Sequence, residues 1–159
     1  YKIATNRTYP SWGYMFEKGA TTIWELWNGD TANPAMNSGN HVMLLGDVLI
    51  WLYEDLAGIK NHPGSTAYKK LWMEPKFPEG LTHVKATYLS SHGEINSKWQ
   101  KENGSFSWTI SIPANTSAIV RLPSSWNIQT PSVKGLRAVN DADGVIEFEI
   151  GSGSYHFTN

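Results

Sequence analysis

The chain has 159 residues, 40% of them hydrophobic, with 13 basic and 14 acidic side chains and a formal net charge of -1. That length suits one domain, or a small domain plus part of another, and the balanced charge offers no basic face for nucleic acid. The lack of cysteine excludes disulfide scaffolds and thiolate metal sites, and no run of about 18 apolar residues reads as a membrane span.

The chain opens on Tyr1-Lys2-Ile3, with neither an initiator Met nor a signal-peptide pattern. Such a start reads as an internal cut. Aromatic residues make up 13% of the chain and include 8 Trp. Indole faces stack on the C–H faces of sugars, yet ring packing in a core explains such content more often.

Residues 1–61 read as helix and loop. Tyr9-Pro10-Ser11-Trp12-Gly13-Tyr14 is a turn-rich aromatic segment, and Gly19 separates it from a short helix expected over residues 21–27. Asn28-Gly29-Asp30 ends that helix and Asn33-Pro34 continues the loop. Asn37-Ser38-Gly39-Asn40 then supplies capping residues. Val42, Leu45, Leu49, Leu52 and Leu56 follow at helical spacing, with Gly58 as the stop. Met43, Leu44, Val48, Ile50 and Trp51 lie off that stripe, so this helix is apolar around most of its circumference. It needs neighbours on several sides, and the expectation is that a larger helical body is missing.

The texture changes after Asn61-His62-Pro63-Gly64-Ser65, which breaks any helix. The division expected is 1–62 helical and 63–159 strand-rich. Strands are expected over residues 68–75, 83–90, 94–101, 105–112, 117–122, 145–150 and 154–157. Glu102-Asn103-Gly104 reads as a hairpin turn. Phe106, Trp108, Ile110 and Ile112 alternate with Ser and Thr, as one buried face of a strand does. Closely spaced short strands of this kind predict an antiparallel β-sandwich. The fold class is therefore α+β by segment.

Candidate chemistry centres on Glu25. Thr22-Ile23-Trp24-Glu25 fits a capping box, in which the carboxylate only satisfies a backbone N–H for about 1 kcal/mol. For an arbitrary sequence that reading wins. The setting argues otherwise: Trp24 and Trp27 flank the carboxylate, and the surrounding loops are rich in Asn, Gly and Tyr. Carboxylates beside indoles are what glycoside hydrolysis uses, one to protonate the leaving oxygen and another to activate water or attack carbon. Glu17 is the nearest second acid, Asp30 is a candidate for the sugar site, and Glu54 and Asp55 fit a solvated helix end. None identifies itself as the partner. His41 begins the apolar helix, where it could donate to a sugar hydroxyl or serve as a hydrogen-bonded structural residue. The five His residues are scattered, with no metal-ligand spacing. No phosphate loop, nucleophile elbow or dinucleotide fingerprint occurs.

Tyr9-Pro10-Ser11-Trp12-Gly13-Tyr14-Met15, Gly19-Ala20-Thr21-Thr22-Ile23-Trp24-Glu25-Leu26-Trp27 and Met36-Asn37-Ser38-Gly39-Asn40-His41 resemble, in that order, the end of the catalytic domain of bacterial α-L-rhamnosidases, glycoside hydrolase family 78. Gly80-Leu81-Thr82, Lys85-Ala86-Thr87-Tyr88, Ile112-Pro113-Ala114-Asn115-Thr116 and Gly151-Ser152-Gly153-Ser154-Tyr155 resemble that family's C-terminal β-sandwich. The resemblance implies the last helices of an (α/α)6 barrel followed by the sandwich. It implies an inverting hydrolase of terminal α-L-rhamnose with Glu25 as general base. His41, Trp12, Trp24, Trp27 and Asn37 would face the sugar, without cofactor or metal. The general acid would lie in a missing N-terminal portion, so the chain alone is expected to be inactive on its rhamnose-containing glycoside. Two departures stand out: Gly39, where the family commonly has an aromatic residue, and Leu26, where a charged residue often stands. The compartment stays open between periplasm or exterior and cytoplasm. The rival readings are another (α/α)6 glycosidase and a non-catalytic carbohydrate-binding sandwich using Trp99, Trp108 and Trp126.

Overall fold

The computed structural model describes residues 1–129, 137–142 and 144–159. It divides into two units, Tyr1–Ile50 and Trp51–Asn159.

The first unit holds three short helices, α1 (Lys2–Thr5), α2 (Trp12–Glu17) and α3 (Leu44–Ile50), joined by turns and bends. Met15 is its one buried apolar residue among those described, accompanied by the buried Ser11. No residue of α3 is buried, and Val42, Met43, Leu45, Leu49 and Ile50 are exposed. A fully buried side chain of that size contributes about 1.5–3 kcal/mol, so this unit gains little from burial. The sequence had marked this helix as one that needs neighbours on several sides.

The helix expected over residues 21–27 does not form; those residues make bends and a turn. Thr21, Thr22, Ile23 and Trp24 are β-branched or aromatic, and their side chains lose rotamer freedom in a helix. The Ile23 carbonyl and the Glu25 N–H bond instead to His41 and Ser38, as described below. The longer helical pattern is realised as α3 in the first unit and a π-helical segment, Trp51–Leu56, in the second.

The second unit is a β-sandwich. One sheet has the order β1-β2-β6-β8-β7, formed by Ile59–Asn61, Lys70–Met73, Ser117–Pro123, Val145–Ile150 and Arg137–Ala142. The other has the order β3-β4-β5-β9, formed by His83–Ser90, Gly93–Glu102, Ser105–Ile112 and Gly153–Thr158. All neighbouring strands run antiparallel except β2 and β6, which pair in parallel with Lys70 opposite Ser117. The expected alternation in β5 holds: Phe106, Trp108, Ile110 and Ile112 are buried. They meet Leu71, Met73, Val120, Leu122, Phe148 and Ile150 of the facing sheet in one core. Asn103 (φ 50°) and Gly104 (φ 82°) make the β4–β5 turn, closing the pair Glu102–Ser105. Two successive positive φ values are what a type I′ hairpin requires.

The core contains a buried polar chain. Trp108 Nε1–H donates to Ser97 Oγ at 2.9 Å, and Ser97 Oγ–H donates to the Ala57 carbonyl at 2.6 Å. Trp99 Nε1–H reaches the Leu56 carbonyl at 2.7 Å. The two indoles thus fill the core while their N–H groups remain satisfied.

Candidate active site

Glu25, His41, Asn37, Trp12, Trp24 and Trp27 lie in the first unit. Ser11 caps α2, its Oγ accepting the Tyr14 N–H at 2.9 Å. That cap fixes the first turn of α2, which carries Trp12. Tyr14 Oη lies 3.1 and 3.0 Å from the two oxygens of Asp30, and Lys18 Nζ is 3.7 Å from Asp30 Oδ2. Partial burial and the Asp30 carboxylate both push the Tyr14 phenol above its ordinary 10.0. The bonded pair ties the turn after Trp27 to α2, and the Trp12 and Trp27 ring centroids stand 6.3 Å apart.

Trp24 is held differently. A Cβ built on Gly29 would lie 2.7 Å from its indole ring. The ring therefore lies against Gly29, where only glycine leaves room.

Glu25 is fixed by a ladder between two loop segments. Its own N–H donates to the Ser38 carbonyl at 3.0 Å, and its Oε2 accepts the Ser38 N–H at 3.0 Å. On one side of this pair the His41 N–H donates to the Ile23 carbonyl at 2.8 Å. On the other, Asn37 Oδ1 accepts the Leu26 N–H at 3.2 Å. The carboxylate does satisfy a backbone donor, as a capping box would, but the donor belongs to a segment 13 residues away and no helix is involved. His41 Nδ1 stands 3.9 Å from Glu25 Oε2. Among the described residues Oε1 accepts no hydrogen bond, and the Glu25 side chain is 42% exposed. One oxygen is anchored and the other accepts nothing from the described residues, an arrangement compatible with taking a proton from water.

The ladder brings together Glu25, Asn37 and His41. The ring pair brings together Trp12 and Trp27, while Trp24 occupies its own shelf. The other acids are engaged elsewhere: Glu17 with Arg7 at 2.8 Å, Asp30 with Tyr14, and Asp55 with Lys60 at 3.3 Å. Asp55 and Glu54 belong to the second unit. Among the described residues no group of three or more His, Asp or Glu could hold a metal ion, and no helix is long and apolar enough to cross a membrane. Trp99 and Trp108 have no exposed surface, so neither can stack on a sugar. Sequence reasoning missed Ser38, which acts through its main chain and leaves no side-chain signature. It also missed the Tyr14–Asp30 pair, whose members are 16 residues apart.

Comparison with known proteins matches residues 1–56 to the family model of the bacterial α-L-rhamnosidase 6 hairpin glycosidase domain. Residues 58–137 match that of the bacterial α-L-rhamnosidase C-terminal domain. An α-L-rhamnosidase of Streptomyces avermitilis is 39% identical over 163 residues, covering 99% of this chain and 15% of that protein. The crystal structure of the Streptomyces avermitilis α-L-rhamnosidase complexed with L-rhamnose superposes with a TM-score of 0.85 at 38% identity, over 99% of this chain and 16% of that one. An α-L-rhamnosidase structure from Dictyoglumus thermophilum gives a TM-score of 0.80 at 34% identity, over 99% of this chain and 18% of that one. The chain thus spans less than a fifth of the length of the relatives it matches.

Proposed function

Because this chain belongs to the bacterial α-L-rhamnosidase family, we propose that it contributes the general base of an inverting glycoside hydrolase that releases terminal α-L-rhamnose. Glu25, ionised, takes a proton from water as that water attacks the anomeric carbon. A general acid outside this chain protonates the leaving oxygen, and the two carboxyl groups stand roughly 6.5–9.5 Å apart to admit the water. His41 and the indoles of Trp12, Trp24 and Trp27 form the sugar-facing surround. The first unit belongs to the end of an (α/α)6 barrel, and the sandwich has a structural role without binding sugar.

The observation that carries this reading is the anchored but open carboxylate of Glu25: Oε2 held by the Ser38 N–H at 3.0 Å, Oε1 free among the described residues. The neighbouring acids give further support, since Glu17 and Asp30 are each occupied by a partner and neither competes for the role.

The test is Glu25→Gln in the full-length protein, assayed on an aryl α-L-rhamnoside. Loss of a general base commonly lowers the rate by about 10²–10⁴-fold. Turnover reduced by less than tenfold would remove Glu25 from the mechanism. A panel of other aryl glycosides tests the sugar. The 159-residue chain by itself is expected to hydrolyse none of them.

A further inference from the structure

Resting on Glu25 as the base, we propose that Asn37 is a positioning residue for that base, not a ligand of the sugar. Glu25 sits in a stretch without helix or strand, so no regular element fixes its direction. Its placement depends on the cross-links between residues 23–26 and 37–41. Two are main-chain bonds, His41 N–H to the Ile23 carbonyl and Glu25 N–H to the Ser38 carbonyl. A third is the Ser38 N–H on the carboxylate itself. At the Leu26 end the ladder is closed by a side chain: the carboxamide oxygen of Asn37 takes the Leu26 N–H at 3.2 Å.

Asn37 and Ser38 are adjacent in the chain, as are Leu26 and Glu25. The carboxamide therefore clamps the peptide next to the one that holds the base, on both strands of the ladder. Without it the Leu26 amide has no partner from this segment, and the Ser38 N–H that orients Oε2 loses its fixed neighbour. The carboxamide oxygen already takes this one bond, so its direction is set by the Leu26 amide. A small misplacement of a reacting group is costly: a shift of about 1 Å lowers rates by around 10²-fold. Asn37 acts through that distance.

The experiment is a kinetic series in the full-length protein on an aryl α-L-rhamnoside, with Glu25→Gln measured beside it. Asn37→Ala is expected to lower kcat roughly 10–100-fold with KM within about twofold of wild type, the pattern of an interaction needed only in the transition state. Asn37→Asp keeps an acceptor oxygen for the Leu26 N–H and is expected to recover most of that loss. It also adds a negative charge beside the ladder, so the acidic limb of its kcat profile moves to higher pH, because a like charge disfavours an ionised carboxylate. The proposal is overturned if Asn37→Ala raises KM and leaves kcat unchanged, the signature of a sugar ligand. It is equally overturned if Asn37→Asp is as impaired as Asn37→Ala and shows no movement of the acidic limb. If Asn37→Ala does not fold, the near-isosteric Asn37→Asp profile decides alone. Inactive Glu25→Gln with unimpaired Asn37→Ala defeats only the positioning role; active Glu25→Gln defeats the base assignment and the positioning role together.

Discussion

Ser38 and Glu25 exchange two hydrogen bonds: the Glu25 N–H enters the Ser38 carbonyl at 3.0 Å, and the Ser38 N–H enters the Glu25 carboxylate at 3.0 Å. Ser38 main chain holds Glu25 at both its N–H and its carboxylate, so the aim of that carboxylate does not depend on the identity of the Ser38 side chain. Ser38→Ala is therefore expected to keep kcat within about threefold of wild type, since the donor is the backbone N–H. Among the described residues the Ser38 hydroxyl accepts only the Asn40 N–H, at 3.2 Å, a bond worth about 1 kcal/mol. A loss comparable to that of Glu25→Gln in the full-length protein would show that the hydroxyl itself takes part.

Gly29 is the shelf for Trp24. A methyl group there would lie 2.7 Å from the indole, so Gly29→Ala forces the ring off its seat. Overpacking of this kind costs about 1–3 kcal/mol. In the full-length protein KM for the rhamnoside is expected to rise several-fold, with kcat less affected. An unchanged KM, alongside a shifted tryptophan emission spectrum showing that the ring has moved, would mean that Trp24 does not face the sugar.

The strand half of the molecule was the more legible half, and the reason is periodicity. In β5 every second residue from Phe106 to Ile112 is apolar and buried, and Asn103-Gly104 states its own turn. β1 and β7 escaped notice because Ile59–Asn61 is too short to show a period and Arg137–Ala142 carries little apolar pattern. The parallel β2–β6 pairing was equally invisible, since alternation reports faces and not strand direction. In the first unit, Thr22 and Glu25 imitate a capping box, and the spacing alone suggested a helix. What decided the conformation was the partner segment 37–41, a relation that no local window contains. Glu25, Asn37 and His41 were all named from sequence, but the ladder joining them became visible only in three dimensions.

Ser97 sits at the centre of the buried polar chain of the sandwich, with no exposed surface. Ser97→Ala leaves the Trp108 N–H without an acceptor and removes the donor to the Ala57 carbonyl. Each unsatisfied buried group costs about 1–3 kcal/mol. Urea unfolding is expected to show a loss of about 2–4 kcal/mol. A loss under about 1 kcal/mol would mean that water or a rearranged indole satisfies both groups.

Glu74 gives the sandwich an acid-sensitive contact. Burial pushes its carboxyl up, but Lys76 at 2.8 Å, with Arg121 and Lys60, outweighs that and leaves it below its ordinary 4.5. Arg121 is shared, reaching Glu74 at 3.1 Å and Glu147 at 2.8 Å. A carboxyl lowered in the folded state stabilises the fold above its unfolded value, and that stability is lost as pH falls through the folded value. Wild-type melting temperature should therefore fall on acidification below about pH 4.5, the unfolded value. Glu74→Gln should start lower at pH 7 and fall less steeply over the same range. Parallel curves for the two proteins would rule Glu74 out as the source.

Gly39 lies inside the ladder segment, between Ser38 and His41, yet a Cβ built there meets nothing within 4 Å. The cross-links on either side of it run through main chain, the Glu25 carboxylate or Asn37, and none uses a side chain at position 39. A bulkier side chain at position 39 therefore meets no described atom of this chain and leaves the two Ser38–Glu25 bonds beside it untouched.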